Sequence, residues 1–262
     1  MEKIITLVTD FGDVDSFVAS MKGVILEINN NVHIIDVTHK IDPFDLKRAA
    51  FLVSHYYKCF PKGSIHLLVV DPGVGSNRRA LVVETSRYLF VAPDNGILSY
   101  IYEHEEVETC IAVDMKKDGY FREQISNTFH GRDVFAPVAA KLSLGVSPEE
   151  MGFRISDMIR FPLPDVTIEE NKIIGEIIYI DGFGNALTSI NEAVFKKKVG
   201  NRFQIHFLDL TIDTVVRAYS EVQLGETGAI FSSEGYLEIF SNQGNLAKKK
   251  HIKVGEPIII KI

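Results

Sequence analysis

Over roughly its first 160 residues the chain alternates short, continuously apolar runs with stretches of helical period, and beyond residue 165 that alternation stops. Lys3 to Thr9, His33 to Val37, Ser64 to Val70, Ala80 to Thr85 and Tyr88 to Ala92 read as strands, several too apolar to leave one face wet. Between them Phe17, Met21, Val24, Ile25 and Ile28 recur at helical spacing, as do Leu46, Ala49, Ala50, Val53 and Tyr57. The pattern predicts an α/β domain over residues 1–162, a mainly parallel sheet flanked by crossover helices. Ser147-Pro148-Glu149-Glu150 reads as the capped start of one more short helix, closed by Gly152. Two prolines in Phe161-Pro162-Leu163-Pro164-Asp165 disfavour helix and inner strand alike and suit a connector. After it come short runs with turn residues between them: Ile173 to Ile180, Arg202 to Phe207, Thr211 to Val216, Ala229 to Phe231, Tyr236 to Phe240 and Pro257 to Ile262. They predict an all-β, barrel-like domain over residues 168–262.

Charge narrows the partners. Twenty-eight basic against 35 acidic residues give a formal charge of −7, the wrong sign for an affinity built on phosphates, so neither nucleic acid nor an anionic membrane surface is expected. A spanning helix needs about 20 consecutive apolar residues, and no run approaches that. Met1-Glu2-Lys3-Ile4 leads into a strand without the features of a secretory signal, so a cytoplasmic location is expected. Cys59 and Cys110 offer neither a disulfide framework nor a cysteine-rich metal site.

Polar clusters follow the predicted strands, where open α/β sheets bind ligands. In Thr9-Asp10-Phe11-Gly12-Asp13, Asp10 suits a vicinal diol such as that of a ribose, or caps the helix beginning near Ser16. In Asp71-Pro72-Gly73-Val74-Gly75-Ser76-Asn77-Arg78-Arg79, an acid and a guanidinium seven residues apart can poise one another and a water, or form a structural ion pair. Arginine in the sixth place rules out a Walker loop or Gly-x-Gly-x-x-Gly. Asn127-Thr128-Phe129-His130-Gly131-Arg132-Asp133 sets a histidine beside a glycine at a loop-to-helix junction, with Asp133 free to cap that helix. Asp181-Gly182-Phe183-Gly184-Asn185 is explained by a hairpin loop, or by an aromatic-lined pocket with an amide and an acid at its rim.

Together with Asp36-Val37-Thr38-His39, Pro43-Phe44 and Phe90-Val91-Ala92-Pro93-Asp94-Asn95-Gly96, these motifs run in order through essentially the whole chain. The sequence resembles the S-adenosyl-L-methionine hydroxide adenosyltransferases, relatives of the fluorinase and chlorinase enzymes. The resemblance implies an N-terminal α/β domain, a C-terminal β-barrel domain that completes the nucleoside site, and a homotrimer with active sites between subunits. It implies attack of water or hydroxide on C5′ of S-adenosylmethionine, giving adenosine and methionine, with Asp71, Arg78 and His130 handling the water. Asp10 would hold the ribose hydroxyls, Phe44 wall the sulfonium region, Asp181 take the methionine ammonium and Asn185 the adenine edge. Ser241 and Asn242 would meet the amino-acid carboxylate. The halide-using relatives carry tyrosine in place of Asp71, and a carboxylate there repels a halide while helping a water. A sulfonium leaves as a neutral thioether, so the reaction calls for no metal and no cofactor, S-adenosylmethionine being the substrate.

Other readings use the same residues. The pocket could serve as a sensor that binds the nucleoside without turnover, or as a halogenase. Asp10, Asp13, Asp15, His130 and Asp133 could offer ligands for metal-assisted hydrolysis, although no two-histidine or cysteine-rich motif accompanies them.

Overall fold

A computed structural model describes residues 3–200 and 202–262, and the chain divides into two compact units, Met1–Pro162 and Leu163–Ile262.

The first unit is a seven-stranded sheet with helices on both faces. Its strands are β1 (Lys3–Thr9), β2 (Val32–Thr38), β3 (Ile65–Val69), β4 (Ala80–Thr85), β5 (Leu89–Pro93), β6 (Val107–Val113) and β7 (Gly152–Arg154), in the order β2-β1-β3-β5-β4-β6-β7. The central strands are mostly apolar because alternate residues serve two cores. Leu67 and Val69 pack with Met21, Val24 and Ile25 of α1 (Phe17–Ile28) and with Val138 and Leu142. Leu68 and Val70 face the other way, onto Ala49 and Val53 of α2 (Leu46–Tyr56) and Ile101 of α3 (Ser99–His104). Asp45 caps α2 by accepting the Arg48 N–H at 3.0 Å.

The sheet is mixed, which corrects the expectation of a mainly parallel one. β1 pairs in parallel with β2 and β3, and β3 with β5, whereas β4–β5, β4–β6 and β6–β7 are antiparallel. Only three residues separate β4 from β5, and so short a connection can make only a hairpin. The helical stretch expected after His130 opens with a π-helical turn, Gly131–Phe135, before α4 (Ala136–Ser143). The capped segment at Ser147 is a single 3₁₀ turn, Pro148–Met151, with the reciprocal capping hydrogen bonds formed.

The second unit is one sheet of short strands that rolls nearly closed. β8 (Thr167–Ile168), β9 (Lys172–Ile180), β10 (Ala186–Asn191), β11 (Gln204–Phe207), β12 (Leu210–Ile212), β13 (Val215–Val216), β14 (Thr227–Phe231), β15 (Tyr236–Ser241) and β16 (Pro257–Lys261) build it. The path runs β12-β11-β16-β9-β10-β15-β14-β13, with β8 on β9. Its two ends, β12 and β13, are consecutive in the chain and only two residues apart, so the far edges are drawn together. Where Thr211 to Val216 reads as one strand, Asp213 and Thr214 break it into these two. Ile173, Ile177, Ile190, Ile205, Phe207, Leu237, Ile239, Ile258 and Ile260 fill the interior at the two-residue period of strands. Two short helices complete the unit, α5 (Glu192–Lys198) and α6 (Leu246–Lys250). Among the described residues no helix is long and apolar enough to cross a membrane.

Candidate active site

β2, β1 and β3 are neighbours and run in parallel, so Thr38, Thr9 and Val69 end at the same edge. The chain leaves β1 for one side to form β2 and returns on the other side for β3, the arrangement that opens a crevice at the strands' carboxyl ends. Asp10 follows β1, His39 and Phe44 follow β2, and Asp71 follows β3.

Asp71 and Arg78 close their loop on each other. Arg78 Nε donates to Asp71 Oδ1 at 2.8 Å and to Oδ2 at 2.9 Å, and Nη2 also donates to Oδ2. The two side chains are 5% and 8% exposed. Arg78 Nη2 also lies 2.9 Å from His130 Nδ1, so the acid, the guanidinium and the imidazole form one chain. The guanidinium stacks over Phe135 at 4.9 Å, and its Nη1 is buried without a hydrogen-bond partner. Burial and the Arg78 cation hold His130 below the ordinary histidine range, with Asp71 and Asp133 opposing them.

Backbone contact locks the two loops that carry this chain. Gly75 has φ +76° and sits against the Asn127 carbonyl, where a Cβ would overlap it. Asp133 does not cap a helix. It is wholly buried, accepts the Ser126 N–H at 2.9 Å and is forked by Arg132 at 2.7 and 3.0 Å, which folds residues 126–133 into the turn that presents His130. Burial raises the Asp133 carboxyl, but Arg132, the Ser126 N–H and Arg122 outweigh it and leave the group below the ordinary value. Phe129 packs edge-on against Phe11 at 5.9 Å and Phe17 at 5.2 Å, tying His130's neighbour to Asp10's.

Asp10 does not cap α1, whose N-cap Ser16 has no side-chain hydrogen bond. Its Oδ2 instead accepts the backbone N–H of Phe44 at 3.0 Å. Phe44 is 65% exposed and held at φ +69°, a strained conformation for a bulky residue. Burial and the nearby Asp71 raise the Asp10 carboxyl, and the Phe44 N–H partly offsets this.

In the second unit the turn after β9 is self-contained. Asp181 Oδ1 accepts the Phe183 and Asn185 N–H groups at 2.9 and 2.8 Å, and Oδ2 accepts Asn185 Nδ2 at 3.1 Å. Gly184, at φ +88°, lies against the Asn245 side chain, which caps α6. The same end of the barrel carries Ser241 and Asn242. Ser241 Oγ donates to the Gly225 carbonyl at 3.1 Å and Asn242 Nδ2 to the Val222 carbonyl at 2.7 Å. Phe183 is 79% exposed.

Two contributors had no role assigned from sequence. Arg79 joins Asp94, which is 2% exposed, to Asp157, and Asp94 also accepts the Ile159 N–H at 2.8 Å. The Pro93-Asp94-Asn95-Gly96 motif thus anchors the chain that follows β7. His39, in the motif that closes β2, reaches back to Thr9 at 2.9 Å. Its place three residues after Asp36 was the available signal. Among the described residues no three His, Cys, Asp or Glu side chains converge as a metal site; Asp13 is paired with Lys40.

The model of the SAM hydroxide adenosyltransferase N-terminal domain matches residues 5–152, and that of the C-terminal domain matches residues 175–259. The chain belongs to the SAM hydroxide adenosyltransferase family. It is 35% identical over 256 residues to the (R)-S-adenosyl-L-methionine hydrolase of Methanocaldococcus jannaschii, covering 94% of this chain and 90% of that one. To the fluorinase of Nocardia brasiliensis this family member is 26% identical, over 99% and 97% of the two chains. A crystal structure of an uncharacterized conserved protein from Thermotoga maritima superposes with a TM-score of 0.90 at 33% identity, covering both chains fully.

Proposed function

We propose that this protein hydrolyses S-adenosyl-L-methionine to adenosine and methionine, taking the (R) sulfonium epimer named for the hydrolases it is similar to. The observation that carries the reading is the Asp71–Arg78–His130 chain at the sheet's crevice, in a chain that aligns over nine-tenths of its length with an (R)-S-adenosyl-L-methionine hydrolase. Arginine donates and never accepts, so His130 Nδ1 accepts from it. A neutral ring then carries its proton on Nε2 and can donate from there to a water oxygen, which makes His130 an orienting group. Asp71 is the acceptor for the water's proton, and Arg78 holds that carboxylate in place. The oxygen–C5′ bond forms as the C5′–sulfur bond breaks. The electron pair goes to sulfur, which departs as a neutral thioether and needs no acid.

Asp10 keeps Oδ1 for the ribose diol while Oδ2 holds Phe44, whose exposed ring walls the sulfonium. In the barrel domain Asn185 donates to Asp181 and retains its carbonyl oxygen for the adenine amino group. Asp181 retains lone pairs for the ammonium. Asn242 has a second amide hydrogen for the carboxylate, and Ser241 reaches it by turning its hydroxyl from Gly225. Residues 1–162 supply the water-handling chain and residues 168–262 complete the nucleoside site in a cytoplasmic homotrimer with active sites between subunits. Val14 at 92% exposure, Phe44 at 65% and Phe17 at 43%, all near the crevice, support a covered surface there.

The test is incubation with each sulfonium epimer in ¹⁸O-water containing chloride. Adenosine labelled at the 5′ oxygen, formed from the (R) epimer, is expected. A 5′-chloro nucleoside would assign a halogenase, and saturable binding without product a sensor.

A further inference from the structure

The motif Asp36-Val37-Thr38-His39 has no part in the proposed chemistry, yet its Asp36 and His39 side chains lead to Thr9, the residue before Asp10. His39 Nδ1 lies 2.9 Å from the hydroxyl of Thr9, which is wholly buried, and Nε2 lies 3.0 Å from Asp36 Oδ1. Lys22 of α1 closes on the other oxygen of Asp36 at 2.5 Å. His39 Nε2 meets Asp36 by ion-pair proximity, while the Thr9 hydroxyl can donate to Nδ1 and its oxygen accepts the Phe11 N–H at 3.3 Å. The His39 carbonyl also accepts the Gly12 N–H at 2.7 Å. Asp10 lies between Thr9 and Phe11, so its backbone is fastened on both sides, and its carboxylate is tied to Phe44 farther along the same connecting segment.

Local structure alone accounts poorly for this arrangement. The turn after β1 would be served by any hydrogen-bonding partner at Thr9, whereas here a chain of four residues reaches from the half-buried Lys22 through Asp36 and His39 to a wholly buried hydroxyl. Each link fixes the rotamer of the next, which is how a binding carboxylate is held within a fraction of an ångström of its working position.

We propose that Asp36, His39 and Thr9 are positioning residues that set the Asp10 carboxylate to read the ribose diol. The inference rests on the reading of Asp10 as the ribose-binding group. Thr9→Val removes the hydroxyl and keeps the buried shape, and His39→Asn keeps a polar atom near Nδ1 while losing Asp36. Each variant, with Asp10→Ala as reference, is assayed on S-adenosylmethionine and on its 2′-deoxyribosyl analogue, with thermal melting to confirm folding.

Asp10→Ala is expected to abolish discrimination between the two substrates. Thr9→Val and His39→Asn are expected to lower it about tenfold, through KM more than kcat, because a misplaced acceptor loses the diol's hydrogen bond but not the attack geometry. A fold defect alone would weaken both substrates equally. Full discrimination in Thr9→Val and His39→Asn, with loss in Asp10→Ala, overturns the positioning role and leaves the ribose reading intact. Full discrimination in Asp10→Ala overturns both.

Discussion

Arg78 Nη2 lies 2.9 Å from His130 Nδ1. A guanidinium has no lone pair to offer, so this contact fixes the imidazole's tautomer: Nδ1 accepts, and a neutral ring carries its proton on Nε2. The same guanidinium grips Asp71 through Nε and through the second hydrogen of Nη2, so one side chain sets both the carboxylate's position and the histidine's tautomer.

His130 should therefore titrate below the ordinary histidine value of about 6.5, as burial and Arg78 both disfavour its cation. Between 6.5 and the depressed midpoint the unfolded chain binds more protons than the folded one, so stability rises with pH across that window. The His130 contribution is complete above 6.5 and is lost as pH falls from there through the lower folded midpoint. Long-range nitrogen–proton NMR should show the Nε2–H tautomer at neutral pH and a midpoint under 6.5. In Arg78→Gln, which removes the cation, the midpoint should move upward.

Arg78→Lys keeps the charge but cannot span two Asp71 oxygens and a histidine nitrogen at once, since an ammonium is a point donor without a planar fork. We expect kcat for adenosine formation to fall about 100-fold, with KM changed far less. Steady-state kinetics by nucleoside chromatography measures both.

Gly75→Ala tests the contact between the two loops. A Cβ at φ +76° overlaps the Asn127 carbonyl, so the Asp71–Arg78 loop and the His130 loop must part. The strain should lower stability by about 1–3 kcal/mol, and displacement of Arg78 from His130 should lower kcat by about 100-fold. Calorimetry and turnover on the same preparation separate the two effects. An unchanged kcat beside a lowered melting temperature would show that the loops keep their relation without this contact.

Strands buried on both faces are readable from sequence because two cores make nearly every residue apolar, as in Ile65–Val69, where His66 alone departs. β6 carries a weak strand signal because Glu108 and Thr109 interrupt its apolar run, and β10 because Ala-Leu-Thr-Ser-Ile-Asn lacks a β-branched block. The reversed direction of β4 was hidden because Ser86 and Arg87 are not typical hairpin residues. In the site, Asp71 and Arg78 are close in the chain and could be paired by eye, whereas His130 is 52 residues from Arg78. Asp10 shows the limit best. A local cap at Ser16 competed with a partner 34 residues away, and only the tertiary fold brings the Phe44 N–H to the carboxylate.

Asp133→Ala removes a wholly buried carboxylate whose arginine partners are 34% and 46% exposed. Arg132 and Arg122 can turn to water, so the cost stays below that of a stranded buried charge. The Ser126 N–H, half of the staple across residues 126–133, loses its acceptor. Destabilisation of about 1–3 kcal/mol is expected in urea unfolding. Asp133→Asn, which still accepts from Ser126, should recover part of it.

Asp71→Ser carries the sharpest chemical consequence. With the carboxylate gone, the buried guanidinium has no counter-charge, and its Nη1 is already without a partner, so the position attracts an anion in place of a proton acceptor. Hydrolysis should drop by about 10²–10⁴, the usual contribution of a positioned proton acceptor. In molar chloride the variant should form 5′-chloro-5′-deoxyadenosine while the unaltered protein forms none. Mass spectrometry of the nucleoside products distinguishes the outcomes. Residual adenosine formation that ignores chloride would mean that Arg78 does not reach the nucleophile and that Asp71 does not repel halide from it.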